Sequence, residues 1–101
     1  MKLMVLDKNK KLGCDNSKWS FKDVFKKLKE EVNELGEAIE EGDKDHIAEE
    51  VLDVVQVCIA ILFKLFMNGI NIEDAVHKHN KKLTDRFWKP KAVIKITVNR
   101  K

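Results

Sequence analysis

Four carboxylates in the middle of the chain have the residue types and the spacing of a metal site. Glu31 and Glu34 lie three residues apart, and Glu50 and Asp53 repeat the same offset. In a helix, residues three apart point about 60° from each other, so each pair would occupy one side of its helix. Asp53 is the least ordinary of the four because it interrupts the apolar run of residues 51–63. A carboxylate inside such a run is costly unless it is neutralised or paired.

These side chains would repel one another if their helices are neighbours, so a cation must lie between them. They offer only oxygen ligands, which hard divalent ions prefer. The pattern therefore predicts a Mg²⁺ site, with Mn²⁺ as the alternative ion and Asp53 as the innermost ligand. The predicted metal ligands are Glu31, Glu34, Glu50 and Asp53.

Basic residues further along the chain could bind the phosphates of a ligand. Lys78, Lys82 and Arg86 are spaced four apart and would form one ridge of a helix, and Asn80 precedes Lys82 by two residues. Such a ridge could hold phosphate oxygens, Arg as a planar fork and Lys as a point charge. The alternative is that these cations only complement the negative end of the helix dipole.

The distribution of charge agrees with an acidic site between basic surfaces. The overall net charge of +3 is the sum of three unlike segments. Their net charges are +6 for residues 1–29, −10 for residues 30–53 and +7 for residues 54–101. An acidic block between two basic ones fits a bound cation whose ligand is a polyanion, although solvated helix faces would give the same pattern. The charges also interrupt every window long enough to cross a membrane.

The chain of 101 residues has the size of a single domain, and its periodicity predicts three helices. The first begins after Ser20, which forms a predicted capping box with Asp23, and ends at Gly42. Its apolar residues form one stripe about 100° wide. The members of this stripe are Phe21, Val24, Phe25, Leu28, Val32, Leu35 and Ile39.

The second helix should begin at Asp43 or Asp45 and end near Gly69, and it is apolar nearly all the way round. We therefore expect it to be central, covered by its own chain and by a partner subunit. The third should begin with Asn71 as its N-cap, continue through "DRFW" and end before Pro90. Short connections favour antiparallel packing. The predicted fold is an all-α helical hairpin plus a third helix, with the bundle completed by oligomerisation.

The two ends of the chain are less regular. "KLMVL" and "AVIKITV" are β-prone, so the termini could pair as a short ribbon or remain as tails flanking a core of residues 20–88. The tails are residues 1–19 and 90–101. The N-terminus has no signal-peptide pattern, which points to a cytoplasmic protein without a membrane span.

At the level of motifs, "KLKEEVNELGEAI" followed by "IAEEVLDVVQV" resembles the MazG-type all-α nucleoside triphosphate pyrophosphohydrolases. Their motif is E-x-x-E, a helix-turn-helix spacer, then E-x-x-D. "NGINIEDAVHKHNKKLTDRF" is similar to the third-helix stretch of that family, and the resemblance covers residues 20–88. It implies that the four acids bind Mg²⁺ and that Asn80, Lys82 and Arg86 lie near the phosphates. It also implies cleavage between the α and β phosphates, with release of a monophosphate and pyrophosphate, by a homodimer or homotetramer. In such a hydrolysis an acid that is not fully committed to the metal could take a proton from the attacking water, and we assign this role to Glu34.

Two other functions stay open from the sequence. The chain could be a dUTP or phosphoribosyl-ATP pyrophosphohydrolase of the same superfamily, with a different base pocket. Trp19 could stack on a base in such a pocket, although an aromatic residue is more often part of a core or an interface. It could also be a non-catalytic helical module for regulation or oligomerisation. The second alternative is disfavoured by Asp53, because a non-catalytic bundle would be more stable with Val or Leu in its place. Nucleic acid is not an expected partner.

Overall fold

The computed structural model describes residues 3–6, 8–9, 14–15 and 18–95, with residues 8–9 and 14–15 described by their backbone alone. Two short antiparallel strands, β1 (Lys8–Asn9) and β2 (Cys14–Asp15), precede three helices. The helices are α1 (Phe21–Glu41), α2 (Lys44–Met67) and α3 (Ile72–Asp85). The predicted all-α class, with a hairpin followed by a third helix, is confirmed for this part of the chain.

Local hydrogen bonds set the ends of α1 where the sequence predicts them. The Asp23 N–H donates to Ser20 Oγ at 3.2 Å, and the Ser20 N–H donates to Asp23 Oδ2 at 2.9 Å, which completes the capping box. At the other end Gly42 adopts a φ of 82°, and its N–H donates to the Ala38 carbonyl at 3.1 Å. This left-handed conformation favours glycine because it has no Cβ.

The remaining helix starts also follow the sequence. Asp43 rather than Asp45 is the N-cap of α2, since Asp43 Oδ1 accepts from the N–H of Asp45 at 3.0 Å and from that of His46 at 3.4 Å. Asn71 caps α3, and its Oδ1 accepts from the Asp74 N–H at 3.1 Å. These side chains satisfy amide groups that have no partner within the first turn of their helix.

The end of α3 differs from the prediction. The helix ends at Asp85, whereas the sequence was expected to remain helical through Trp88. Phe87 has a φ of 69°, its N–H donates to the Thr84 carbonyl at 2.9 Å, and the Trp88 N–H donates to the Leu83 carbonyl at 3.1 Å. These two bonds form a Schellman motif, which closes the helix before Pro90 is reached. The same motif closes α2, with glycine at the left-handed position.

The buried face of α1 is narrower than its apolar stripe. Val24 and Ala38 are buried, and Glu31 lies midway between them, at 8% exposure. Residues seven apart in a helix lie within about 20° of each other, so these three share one face. The stripe residues Phe25 and Val32 are instead about half exposed. The packed face of α1 is therefore the edge of its apolar stripe. Among the described residues, Leu28 and Leu35 of the stripe are half-buried, and Ile39 is about half exposed, like Phe25 and Val32.

The apolar second helix is likewise only partly covered. Residues 54–66 of α2 are all half-buried, and α2 contains no fully buried residue. The side-chain amide of Gln56, the other polar residue in the apolar run, donates to the Met4 carbonyl. Among the helices described, none combines the length and the apolar character that a membrane crossing requires.

Internal contacts divide the chain into two compact units, Met4–Ile61 and Leu62–Lys101 with Met1–Leu3. The first holds α1 and most of α2, and the second holds α3. Residues 3–6 and 92–95 contain no strand, so the described parts of the two β-prone segments form no ribbon. Residues 2 and 96–98 of these segments lie outside the described part of the chain.

Candidate metal centre

The acids from α1 and α2 meet in one cluster. Carboxylate oxygens of Glu31, Glu50 and Asp53 all lie within 4.8 Å of one another. Nearer to the connection between the helices, Glu41 Oε2 lies 3.1 Å from His46 Nδ1. Contacts thus join earlier residues of α1 to later residues of α2, as in an antiparallel hairpin. The expectation that the two motif pairs face the same volume is confirmed for these three acids.

The order of burial within the cluster differs from the prediction. Glu31 is the most buried, the Glu50 side chain is 14% exposed, and Asp53 is exposed. The prediction that Asp53 is the innermost acid was wrong. The neighbouring Val51 and Leu52 are also 40% and 46% exposed, so this turn of α2 is only partly covered by the described residues.

Glu34 interacts with the same cluster from the exposed side of α1. The negative charge of Glu31 raises the pKa of Glu34 above its ordinary value, and a hydrogen bond between the two carboxyls adds to the effect. Glu50 contributes further repulsion, while Lys27 partly offsets it. An acid whose pKa is raised in this way holds a proton more readily than a free carboxylate.

Two carboxylate oxygens in the cluster have no partner. Glu31 Oε2 and Glu50 Oε2 are both buried, and neither makes a hydrogen bond within the described chain. A buried charged oxygen without a partner is expensive, at about 1–3 kcal/mol or more for each group. Two such oxygens from neighbouring helices, beside a third carboxylate, are the donor set that a hard divalent cation would satisfy. The residues present therefore fit a hard divalent cation.

The sequence interpretation overlooked two basic residues in this site. Lys27 Nζ lies 3.1 Å from Glu31 Oε1, and His46 Nε2 lies 3.2 Å from Glu50 Oε1. The hydrogen bond to Glu31 raises the pKa of Lys27, and hydrogen bonds to Glu41 and then Glu50 raise the pKa of His46. The sequence did indicate these contacts, because each base precedes its acid by four residues, which is the spacing of neighbours on a helix surface.

Trp19, the predicted base-stacking residue, lies at the start of α1. It is half-buried and lines an open cleft of about 370 Å³. The other residues of the cleft are charged, and they include Lys27, which also contacts Glu31. The remaining lining residues are Asp23, Lys26 and Glu30.

The predicted phosphate-binding residues belong to the unit that contains α3. Lys78, Asn80 and Lys82 are exposed on the helix, and Arg86 is its C-cap rather than a helical residue. Within the described chain, the ion pair formed on α3 is a different one, between Lys81 Nζ and Asp85 Oδ2 at 2.9 Å. The assignment of these four residues to phosphate stays a prediction.

Comparison with known protein families identifies the family of this chain. The family model of the MazG nucleotide pyrophosphohydrolase domain matches residues 19–90. The chain belongs to this family. The matched residues include α1, α2 and α3. The match to the MazG domain therefore includes every acid of the cluster. No curated protein and no solved structure matches the chain.

Proposed function

We propose that this MazG domain is a Mg²⁺-dependent nucleoside triphosphate pyrophosphohydrolase. It hydrolyses ribo- or deoxyribonucleoside triphosphates between the α and β phosphates, and the products are a nucleoside monophosphate and pyrophosphate. The observation that supports this activity is the pair of buried oxygens, Glu31 Oε2 and Glu50 Oε2, that have no partner among the described residues. They lie in a cluster with Asp53 that would be strongly self-repulsive without a cation.

The four motif acids would hold the cation. When bound, the ion supplies positive charge for the triphosphate and makes the attacking water more acidic. Glu34 accepts the proton of that water in this proposal. It is exposed, whereas Glu31 and Glu50 are enclosed, so a water molecule can reach it. A hydrogen bond between its carboxyl and that of Glu31 supports a position beside the reacting centre.

The remaining polar residues would position the substrate. Lys78, Asn80, Lys82 and Arg86 would bind the phosphates. No acid in the described part of the chain forms an ion pair with Lys78, Lys82 or Arg86. Trp19 would stack on the base in the cleft at the start of α1. Lys27 connects this cleft to the acid cluster, since it lines the one and contacts the other.

A second copy of the chain would complete the fold. Among the described residues, Phe25, Val32 and Ile39 of α1 are about half exposed and residues 54–66 of α2 are only half-buried, and exposed apolar surface of this kind is typical of protein–protein interfaces. We propose a homodimer or homotetramer that buries this surface. Sedimentation velocity should give the mass of an oligomer, and Val32→Lys should shift it toward the monomer. A monomer at all micromolar concentrations would contradict this assembly. The cytoplasmic location stays a prediction.

The activity is tested with a panel of nucleoside triphosphates that includes dUTP and phosphoribosyl-ATP, with and without Mg²⁺. Pyrophosphate and orthophosphate are assayed separately. We expect Mg²⁺-dependent release of pyrophosphate, and Asp53→Asn should abolish it. Glu40→Gln removes the same charge from an exposed position outside the cluster and should retain activity. Release of orthophosphate alone would contradict the cleavage site, and no turnover of any nucleotide would favour a non-catalytic module.

A further inference from the structure

Each of the two enclosed acids is held by a base from its own helix. Lys27 precedes Glu31 by four residues, and His46 precedes Glu50 by four residues. The contact distances are nearly equal, at 3.1 and 3.2 Å, although the two helices run in opposite directions. Both bases are more exposed than their acids, at 42% against 10% and 38% against 14%.

The two carboxylates are engaged in the same asymmetric way. In each, Oε1 is the atom that contacts the base, and Oε2 is the buried atom without a partner. Contact with a donor at Oε1 restricts rotation of the carboxylate about its last side-chain bond, which is otherwise broad. The unoccupied oxygens are therefore presented in one orientation before any ligand arrives.

His46 is itself restrained from both sides. Its Nδ1 lies 3.1 Å from Glu41 Oε2 at the end of α1, while its Nε2 faces Glu50 on α2. The imidazole ring thus ties the orientation of Glu50 to the connection between the two helices. Lys27 has a comparable second contact, since its Nζ lies 3.6 Å from Glu30 Oε2.

We infer that Lys27 and His46 are positioning residues, which hold the Oε1 atoms of Glu31 and Glu50 so that their Oε2 atoms are aimed at the cation. This inference rests on the proposed function, because it assumes that the acid cluster binds a divalent ion. Groups that orient metal ligands in this way commonly change metal affinity by about 10- to 100-fold when they are removed.

The direction of the change in Mg²⁺ affinity distinguishes a positioning role of Lys27 from a purely electrostatic effect of its charge. Removal of Lys27 leaves the site more negative, so if only charge mattered, Mg²⁺ would bind more tightly to Lys27→Met. If Lys27 positions Glu31, the variant should bind Mg²⁺ at least about tenfold more weakly despite the lost positive charge. Lys27→Arg keeps a donor at the same place and should restore most of the affinity.

Calorimetric titration of the nucleotide-free protein with Mg²⁺ measures the metal affinity directly and does not depend on catalysis. Lys22→Met is the matched control on the same helix, since Lys22 is exposed and outside the cluster. For the second pair, His46→Gln is compared with His79→Gln, which changes an exposed histidine on α3. Circular dichroism confirms that each variant keeps its helix content.

The outcomes distinguish the two proposals. Weaker binding by Lys27→Met and His46→Gln, with unchanged binding by both controls and recovery in Lys27→Arg, supports the positioning role. Unchanged or tighter binding by the two test variants overturns it and leaves the metal site in place. If the wild-type protein binds neither Mg²⁺ nor Mn²⁺, the proposed function and the positioning role both fail.

Discussion

Neutralising Asp53 should stabilise the metal-free protein while weakening its response to Mg²⁺. A carboxylate oxygen of Asp53 lies within 4.8 Å of an oxygen of Glu31 and of one of Glu50. Two unit charges at this distance repel by about 1 kcal/mol in water and about 3.5 kcal/mol at an effective dielectric constant of 20. Because Asp53 is exposed, the lower value applies to each neighbour. Asp53→Asn should therefore add about 1–2 kcal/mol to the free energy of unfolding.

Thermal melting without metal measures the first effect, at a fixed protein concentration so that any oligomer is treated alike. One kcal/mol corresponds to a rise of about 4–8 °C in the midpoint for a domain of this size. Addition of Mg²⁺ measures the second effect. A ligand present at 100 times its dissociation constant stabilises the folded state by about 2.7 kcal/mol. The wild-type midpoint should rise accordingly, and the variant should lose most of this rise.

Glu40→Gln is the control for net charge, because it removes one negative charge from an exposed position of α1. It should change the free energy of unfolding by less than about 0.5 kcal/mol. An equal rise for Glu40→Gln, or a lower metal-free midpoint for Asp53→Asn, would refute the repulsion argument. A full Mg²⁺ response in Asp53→Asn would show that Asp53 is not a ligand.

Three further predictions concern the helix ends. Gly42→Ala should lower the free energy of unfolding by about 1 kcal/mol, because Gly42 has a φ of 82°. Gly36→Ala within α1 should instead raise it by about 0.5–1 kcal/mol. Urea unfolding that gave both changes the same sign would contradict this prediction. Phe87→Gly should raise the free energy of unfolding by about 1 kcal/mol, since Phe87 is 93% exposed and has a φ of 69°. A lower free energy of unfolding in the same assay would mean that the phenyl ring makes a stabilising contact. Hydrogen bonds from the backbone and then the side chain of Ser20 lower the pKa of Asp23 below its ordinary 3.8, so their contribution is present above about pH 4 and is lost as the pH falls through the folded-state value. The stability of Asp23→Asn, measured by urea unfolding between about pH 5 and pH 2.5, should depend less steeply on pH than that of the wild type; parallel profiles would exclude Asp23 as the cause.

The boundaries of the helices could be predicted well because they depend on local chemistry. Ser20, Asp43 and Asn71 each cap a helix through bonds to residues two or three positions away, and Gly42 and Gly69 adopt the left-handed conformation that ends one. The end of α3 was misjudged because Phe87 occupies a backbone conformation that its residue type rarely adopts. Such a position carries no signal in the sequence.

The sequence by itself determined the pairs of acids and the bases that precede them, since residues three or four apart on a helix are neighbours in any fold. It also predicted a cation wherever those acids meet. Only the tertiary structure decided how far each helix is rotated toward the other, because that rotation depends on side chains of both helices packing together. The rotation buries Glu31 rather than Asp53, brings Glu41 to His46, and leaves one enclosed oxygen on each helix without a partner.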